Sequence, residues 1–509
     1  METKLDASVN QRFSSRWGLL LSVLGIAVGT GNIWRFPRIV AQNGGDEGAG
    51  AFLIAWIVFL FLWSIPLIIA EYALGRKYRR GVVGTIADAA GRKFTWMGAF
   101  VAFVSTAITF FYSIIVGWCL FYFFKMLTSP LPMTTDSAMT MWNTFQSSGW
   151  PFFFHALIMG LGALAIWRGI RSIERINKVL IPALFLIVVL SVIRALMLPG
   201  AWSGIAYVFK PQWSQLSQPK IWLEALTQNA WDTGAGWGLF LTYAAYMKRE
   251  HNIVKNAFST GVGNNVVSLL AALMVFGTVF AVLQAEMGMT RPEVLEIMRT
   301  SGPASTGLTF IWMPQLFARM FFGHPLSLLF FLGLTFAGFS SLIAQLELPT
   351  RVFIDAGLKR PVAIGVVVGG SYLLGIPSAM SLNILNNQDF VWGIALMISG
   401  AFVAFAAIRS GITRFRAGEL LTDGKHWKLN RAWEWVLRYC IPSAAVILLI
   451  WWLSLSATVY ARNDWFNPIH PLSIMTCIVQ WFIVLGMLFL LNRWMADRTF
   501  GTTIVEHKV

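Results

Sequence analysis

Residues Gly25-Ile26-Ala27-Val28-Gly29-Thr30-Gly31-Asn32-Ile33-Trp34-Arg35-Phe36-Pro37 decide how this chain is read. They sit inside an apolar segment that begins near Trp17 and is long enough to cross a bilayer, for which ~20 residues suffice. Three glycines, Asn32 and Arg35 do not suit a lipid-facing helix. Glycine permits the backbone angles that unwinding needs, and unwound backbone at membrane depth survives only where it lines a cavity or is buried in protein. Two half-helices meeting at such a break bring N–H groups and carbonyls to one spot, which suits an anion on one side and a cation on the other. The stretch therefore reads as a solute and ion site. A glycine face for close helix packing is the plainer alternative, but it needs neither the Asn nor the Arg.

Composition agrees. The 509 residues are 57% hydrophobic and only 12% charged, about half the charged fraction of soluble domains, which marks a polytopic membrane protein. Apolar runs long enough to span fall at about twelve places. The net charge of +16 is a matter of topology and gives no reason to expect nucleic acid. Basic residues crowd alternate loops, as at Arg76, Lys77, Arg79 and Arg80 or at Arg168, Arg171, Arg175 and Lys178, whereas Ser129–Gly149 and Ala379–Gln388 carry none. The positive-inside rule then puts both termini in the cytoplasm with an even number of spans. Cys119, Cys440 and Cys477 all lie in apolar segments, so no disulfide framework is expected. Met1 to Arg16 lacks an apolar signal-peptide core. No Asn-x-Ser/Thr acceptor occurs, which favours a prokaryotic inner (plasma) membrane.

The sixth apolar run repeats the opening pattern. It reads Gln228-Asn229-Ala230-Trp231-Asp232-Thr233-Gly234-Ala235-Gly236-Trp237-Gly238, again with glycines and a carboxylate at mid-depth. Paired interruptions at corresponding positions of two halves point to an inverted-repeat transporter, with five spans in each unit and two left over. Asp232 is costly there unless it meets a cation or carries a proton; it could also cap the second half-helix. Asn264, Asn265 and Ser268 in the seventh run and Ser340 and Ser341 in the eighth offer oxygens to a hard cation. Vicinal serines equally well back-bond to carbonyls one turn earlier.

With Asn43-Gly44-Gly45, Gly50-Ala51-Phe52, Glu71-Tyr72-Ala73-Leu74-Gly75-Arg76 and Thr242-Tyr243-Ala244-Ala245-Tyr246, the chain resembles the neurotransmitter:sodium symporter family over nearly its whole length. The family's structural prototype is a bacterial leucine transporter. The resemblance implies an all-α polytopic fold of twelve transmembrane helices, an inverted five-helix repeat with helices 1 and 6 broken, and Na⁺-coupled import of an amino acid or related zwitterion by alternating access. One sodium would use the Ala27 carbonyl, Asn32, Asp232 and Asn264; the second would use carbonyls of Gly25, Val28 and Ala337 with Ser340 and Ser341. A substrate carboxylate would rest on Gly29-Thr30-Gly31 and the Tyr112 hydroxyl, and its amine on carbonyls of Ala27 and Trp231. Ile26, Ile108, Trp231, Gly234, Trp237, Ser341 and Gln345 would form the side-chain pocket. Arg35 and Asp389 would close the outer gate above Tyr112 and Trp231, with Arg12 and Asp355 at the inner gate. Trp56, Gln228, Asp232 and Ser268 stand at the family's chloride-site positions.

Departures from the family pattern carry their own expectations. Amine transporters have Asp where this chain has Gly29, which favours a substrate with its own acidic group. Trp231 and Trp237 replace Phe and Gln345 replaces Ile of the prototype. Gly234 is expected to free volume that Trp237 fills, and a buried Gln needs a partner, so a polar side chain or a non-α amino acid is expected. Asn10-Gln11-Arg12-Phe13 replaces an Arg-x-x-Trp motif, Ser172 replaces a glycine ten residues before Pro182, and Asp46–Ala49 is an insertion. Asp232 stands where relatives have Ser or Thr, and Ser268 where the prototype has Glu. Two cations and a zwitterion in a site of low dielectric call for one negative charge. Asp232 supplies it, so chloride is not expected to be required.

The expected partition is a cytoplasmic segment 1–16, a first repeat 17–198, an outer loop 199–221, a second repeat 222–412, two further spans 413–496 and a tail 497–509. The expected partners are the bilayer and a small zwitterion, in a monomer or weak homodimer. An enzyme would need a nucleophile–base or metal cluster, and the six histidines are scattered. A sensor or scaffold would have degraded ion ligands. The serious alternative keeps the fold but couples to protons or carries an osmolyte such as taurine or a betaine.

Overall fold

A computed structural model of the chain describes residues 11–299, 306–420, 427 and 429–501. Asn10, the rest of segment 1–10 and residues 502–509 of the expected tail lie outside the described residues.

Among the described residues, eight helices are long and apolar enough to cross a membrane singly: Gly50–Tyr78, Arg92–Thr128, Ile170–Leu196, Ile253–Glu286, Gly323–Asp355, Arg360–Met380, Leu382–Arg409 and Ala432–Tyr460. Three bent pairs add a span each, Arg16–Ala27 with Gly31–Asn43 (50°), Thr135–Gln146 with Trp150–Ile166 (68°) and Ile474–Leu490 with Asn492–Phe500 (53°). One further span, the sixth in chain order, is split into Pro219–Asp232 and Leu239–Ala244 by residues 233–238. Twelve spans result, of which the first and sixth are interrupted inside their apolar length. Residues Arg291–Arg299, between the seventh and eighth spans, form a short helix.

Prolines shape several spans in one way. Pro37, Pro66, Pro314 and Pro442 each occupy the second position of a helix that follows a five-residue π-helical turn, at Gly31–Arg35, Leu60–Ser64, Leu308–Trp312 and Val436–Cys440. Proline donates no N–H and its ring presses on the carbonyl one turn back. A wider turn moves that carbonyl aside and lets the helix continue. The first of these turns falls on Asn32 and Arg35, inside the stretch that opened the sequence reading.

The third span is the scaffold of the site. Its helix Thr95–Thr128 has 34 residues, about 51 Å at 1.5 Å per residue, longer than the hydrocarbon core. It packs against the fourth, eighth, ninth and tenth spans. The half-helix Arg16–Ala27 packs against the fifth, seventh and eighth spans, and both halves of the sixth against the second. Large apolar side chains such as Phe482 and Leu490 are exposed on the periphery, where lipid meets them.

Candidate functional site

The first half-helix starts on a cap, Ser15 Oγ accepting from the Gly18 N–H at 3.0 Å. It stops at Ala27, and Val28 is extended (φ −80°, ψ 96°). The loose backbone is held by side chains. Asn32 Oδ1 accepts from the Gly29 N–H at 2.8 Å, and Tyr112 Oη accepts from the Thr30 N–H and hydroxyl at 3.2 Å each. A Cβ on Gly29 would stand 2.9 Å from Tyr112 Oη and 3.0 Å from Ser341 Oγ. A side chain there would displace both hydroxyls.

Oxygen atoms gather on both sides of this break. On one side Ser341 Oγ lies 3.1, 3.2 and 3.4 Å from the carbonyl oxygens of Gly25, Ile26 and Val28 and 3.4 Å from that of Ala337; Ser340 Oγ donates to Ala337 at 2.9 Å. All members of the expected second sodium set are brought together, joined by the Ile26 carbonyl, which sequence reading missed. On the other side Asn32 Nδ2 donates to Asn264 Oδ1 at 2.8 Å and to Ser268 Oγ at 2.7 Å, and Ser268 donates to Asp232 Oδ2 at 2.8 Å. In this amide orientation Asn264 Oδ1 is 3.0 Å from the Ala27 carbonyl oxygen and 3.3 Å from that of Asp232. Turning the amide puts its N–H toward both oxygens and relieves the contact. The Ala27 carbonyl, Asn32, Asp232 and Asn264 are oxygen donors of the kind a hard cation takes.

The second break is built differently. Gly234, Gly236 and Gly238 take φ of +68°, +87° and +79°, angles that side-chain-bearing residues rarely adopt. Glu71, fully buried in the second span, accepts from the Gly236 N–H at 2.6 Å and the Leu241 N–H at 3.1 Å, and so caps the second half of the sixth span. Sequence reading quoted Glu71 only as part of a motif; a lone carboxylate in an apolar run was the signal that could have revealed it. Trp237 Nε1 donates to the Ala230 carbonyl at 3.1 Å, and its ring meets Trp231 edge-on at 5.6 Å. The volume beside Gly234 belongs to Ile26 and Phe240, not to Trp237 as expected.

A cavity of about 420 Å³ lies between the breaks and continues outward past Arg35, Glu224 and Asp389 to Tyr460. Every expected pocket residue lines it except Ile108, which is fully buried behind it. Gln345 does line it, and its Oε1 accepts from Thr109 Oγ1 at 3.2 Å. Of the chloride-position residues, Ser268 is bonded to Asp232 as above. Trp56 Nε1, both Gln228 amide atoms and Asp232 Oδ1 have no hydrogen-bond partner among the described residues.

Neither expected gate pair is formed. The Arg35 guanidinium lies over the Trp231 ring, 4.9 Å from its centroid, and no ion pair among the described residues joins it to Asp389. The cavity separates the two sides of that gate. Asp355 pairs with Arg351 one turn earlier at 2.9 Å and accepts from the Gly81 N–H at 2.5 Å, while Arg12 donates to the Met247 carbonyl at 3.3 Å. A partner on the same helix costs less ordering than one on a terminal segment, so Arg351 holds the carboxylate. The buried Glu347 pairs with Arg360 and accepts from Tyr246 Oη at 2.8 Å.

The profile of the sodium:neurotransmitter symporter family matches residues 10–149 and 149–499. An uncharacterized sodium-dependent transporter of Methanocaldococcus jannaschii is 32% identical over 70% of this chain and 73% of its own. The sodium-dependent serotonin transporter of Drosophila melanogaster is 26% identical over 91% of this chain and 81% of its own. Among solved structures, MhsT in complex with L-phenylalanine superposes with a TM-score of 0.75 at 29% identity, covering 86% of this chain and 99% of that one. The twelve-helix architecture with broken helices 1 and 6 is the leucine-transporter fold, and the family is one of sodium symporters, not enzymes. This chain belongs to the sodium:neurotransmitter symporter family.

Proposed function

We propose that the protein imports an amino acid or amino-acid-like zwitterion together with Na⁺ by alternating access, and does so without chloride. The observation that carries this reading is the pair of oxygen clusters flanking the first break, with Gly29 between them pressed against the Tyr112 hydroxyl. Ala27, Asn32, Asp232 and Asn264 would hold one sodium. Gly25, Val28, Ala337, Ser340 and Ser341 would hold the second. The substrate carboxylate would meet Thr30 and Tyr112, neutralising the charge of the cations it travels with. Gln345 supports a polar substrate side chain: Thr109 occupies its Oε1, and its Nε2 has no protein partner among the described residues. The solved relative was crystallised with L-phenylalanine, so aromatic and polar amino acids both belong in the screen.

Asp232 is the charge that replaces chloride in this reading. Ser268, at one of the chloride positions, donates to its carboxylate. A bound anion there would face a like charge in a medium of low dielectric. The second reading, in which protons are the coupling ion, turns on the same residue: a carboxylate buried among neutral amides and a serine can carry a proton where a cation would otherwise balance it. The basic residues on alternate loops support a plasma-membrane orientation with both termini cytoplasmic.

The deciding experiment is a thermal-shift screen of α-amino acids, β-amino acids, taurine and betaines in Na⁺ and in K⁺. Stabilisation by an amino acid in Na⁺ alone supports the proposal. Stabilisation that ignores Na⁺ but follows pH would replace it with the proton reading.

A further inference from the structure

Asn177 on the fifth span is fully buried, and neither its Nδ2 nor its Oδ1 has a hydrogen-bond partner among the described residues. Buried amides are ordinarily satisfied, so one that is not calls for a reason. Its position supplies one. A Cβ built on Gly25 would stand 3.2 Å from Asn177 Oδ1 and 3.3 Å from Ser340 Cβ. The amide and Ser340 thus both lie against Gly25, whose carbonyl belongs to the second oxygen cluster. The fifth span packs against both of those spans. The cluster itself draws its oxygens from the first and eighth spans only. A hard cation gathers oxygen from all sides, and the fifth span, which contributes none, places the buried Asn177 amide against Gly25.

We infer that Asn177 is a further member of the second cation site, its Oδ1 completing the oxygen shell from the fifth span and setting the affinity for Na⁺. This rests on the proposed assignment of that site to Gly25, Val28, Ala337, Ser340 and Ser341. Glycine at position 25 is part of the arrangement, because any side chain there would push the amide away.

Asn177→Leu keeps the volume and removes the amide. Deleting an unpaired buried polar group leaves a fold as stable as before or more so, so the purified variant is expected to unfold at or above the wild-type temperature in Na⁺-free buffer. The concentration of Na⁺ that half-saturates the substrate-free rise in Tm is expected to increase roughly tenfold. Asn177→Asp, which keeps the oxygen, should restore it. Ser340→Ala is measured alongside to test the site itself. If Ser340→Ala weakens the Na⁺ response while Asn177→Leu stays within about twofold of wild type, Asn177 is a packing residue and the inference falls alone. If neither variant moves the Na⁺ response, the assignment of the second site falls with it. Should the leucine variant not fold, Asn177→Ala carries the same comparison.

Discussion

At the first break Val28 is extended, Thr30 is helical (φ −59°, ψ −29°), and no glycine is left-handed; at the second, three glycines are. The two stretches look alike in sequence, each a run of alternating glycines with a polar residue at mid-depth. Their glycines do different work. Gly29 leaves room for Tyr112 and Ser341, so the first break spends its glycines on access to backbone. Gly234, Gly236 and Gly238 supply backbone angles, so the second break spends its glycines on conformation. The anchors differ accordingly. Amides and hydroxyls from the third, seventh and eighth spans surround the first break, a setting open to exchange with ions and substrate. A buried carboxylate, Glu71, locks the second.

The contrast can be broken most severely at the second break. Gly236→Ala adds a left-handed penalty of about 1–2 kcal/mol and puts a Cβ 2.7 Å from Gly400 Cα, so loss of monodisperse protein on size exclusion is expected. Glu71→Ala orphans two buried N–H groups at about 1–3 kcal/mol each and should lower Tm by many degrees even where protein is recovered. Normal folding of both would abolish the distinction.

Gly29→Ala is expected to fold normally, with Tm near wild type in Na⁺-free buffer, yet to lose substrate-induced stabilisation by roughly tenfold or more in affinity. Asp232→Ser should likewise fold, and its uptake should become chloride-dependent, falling roughly tenfold when chloride is replaced by gluconate. A wild type that stops without chloride, beside an Asp232→Ser variant that behaves identically, would sink the compensating-charge reading. Gly31→Ala sharpens the comparison from the mild end. Its Cβ would meet only Asp232 Oδ1, at 3.8 Å, so uptake and Tm are expected within about twofold and a degree or two of wild type.

Much of the site was legible because membrane depth makes polar residues conspicuous. Gly25 to Arg35, Asp232, Asn264 and the Ser340-Ser341 pair all stood out against apolar runs, and they do converge. Glu71 and Asn177 carried the same signal and were passed over: the first was read as part of a motif, the second lies in a run that also holds charged residues of the cytoplasmic end. The gate residues lie differently in the structure from the pairs expected of them. Matching Arg12 to Asp355 assigns a pair from equivalent positions, but a guanidinium goes to whichever partner is nearest and cheapest to order. Arg351 lies one turn from Asp355, and the Trp231 ring lies under Arg35. Ile108, expected in the pocket by position, is fully buried and does not line the cavity.

The sequence by itself determined that this is a membrane protein of twelve spans with two broken helices, because the cost of polar atoms in lipid is paid residue by residue and shows in composition and spacing. It determined as well which oxygens could serve a cation. Only the tertiary structure decided which glycines are there for space and which for backbone angle, which carboxylate caps a helix, and where each arginine finds its partner. Those depend on atoms far apart in the chain arriving within 3 to 4 Å of one another, and no local pattern records such distances.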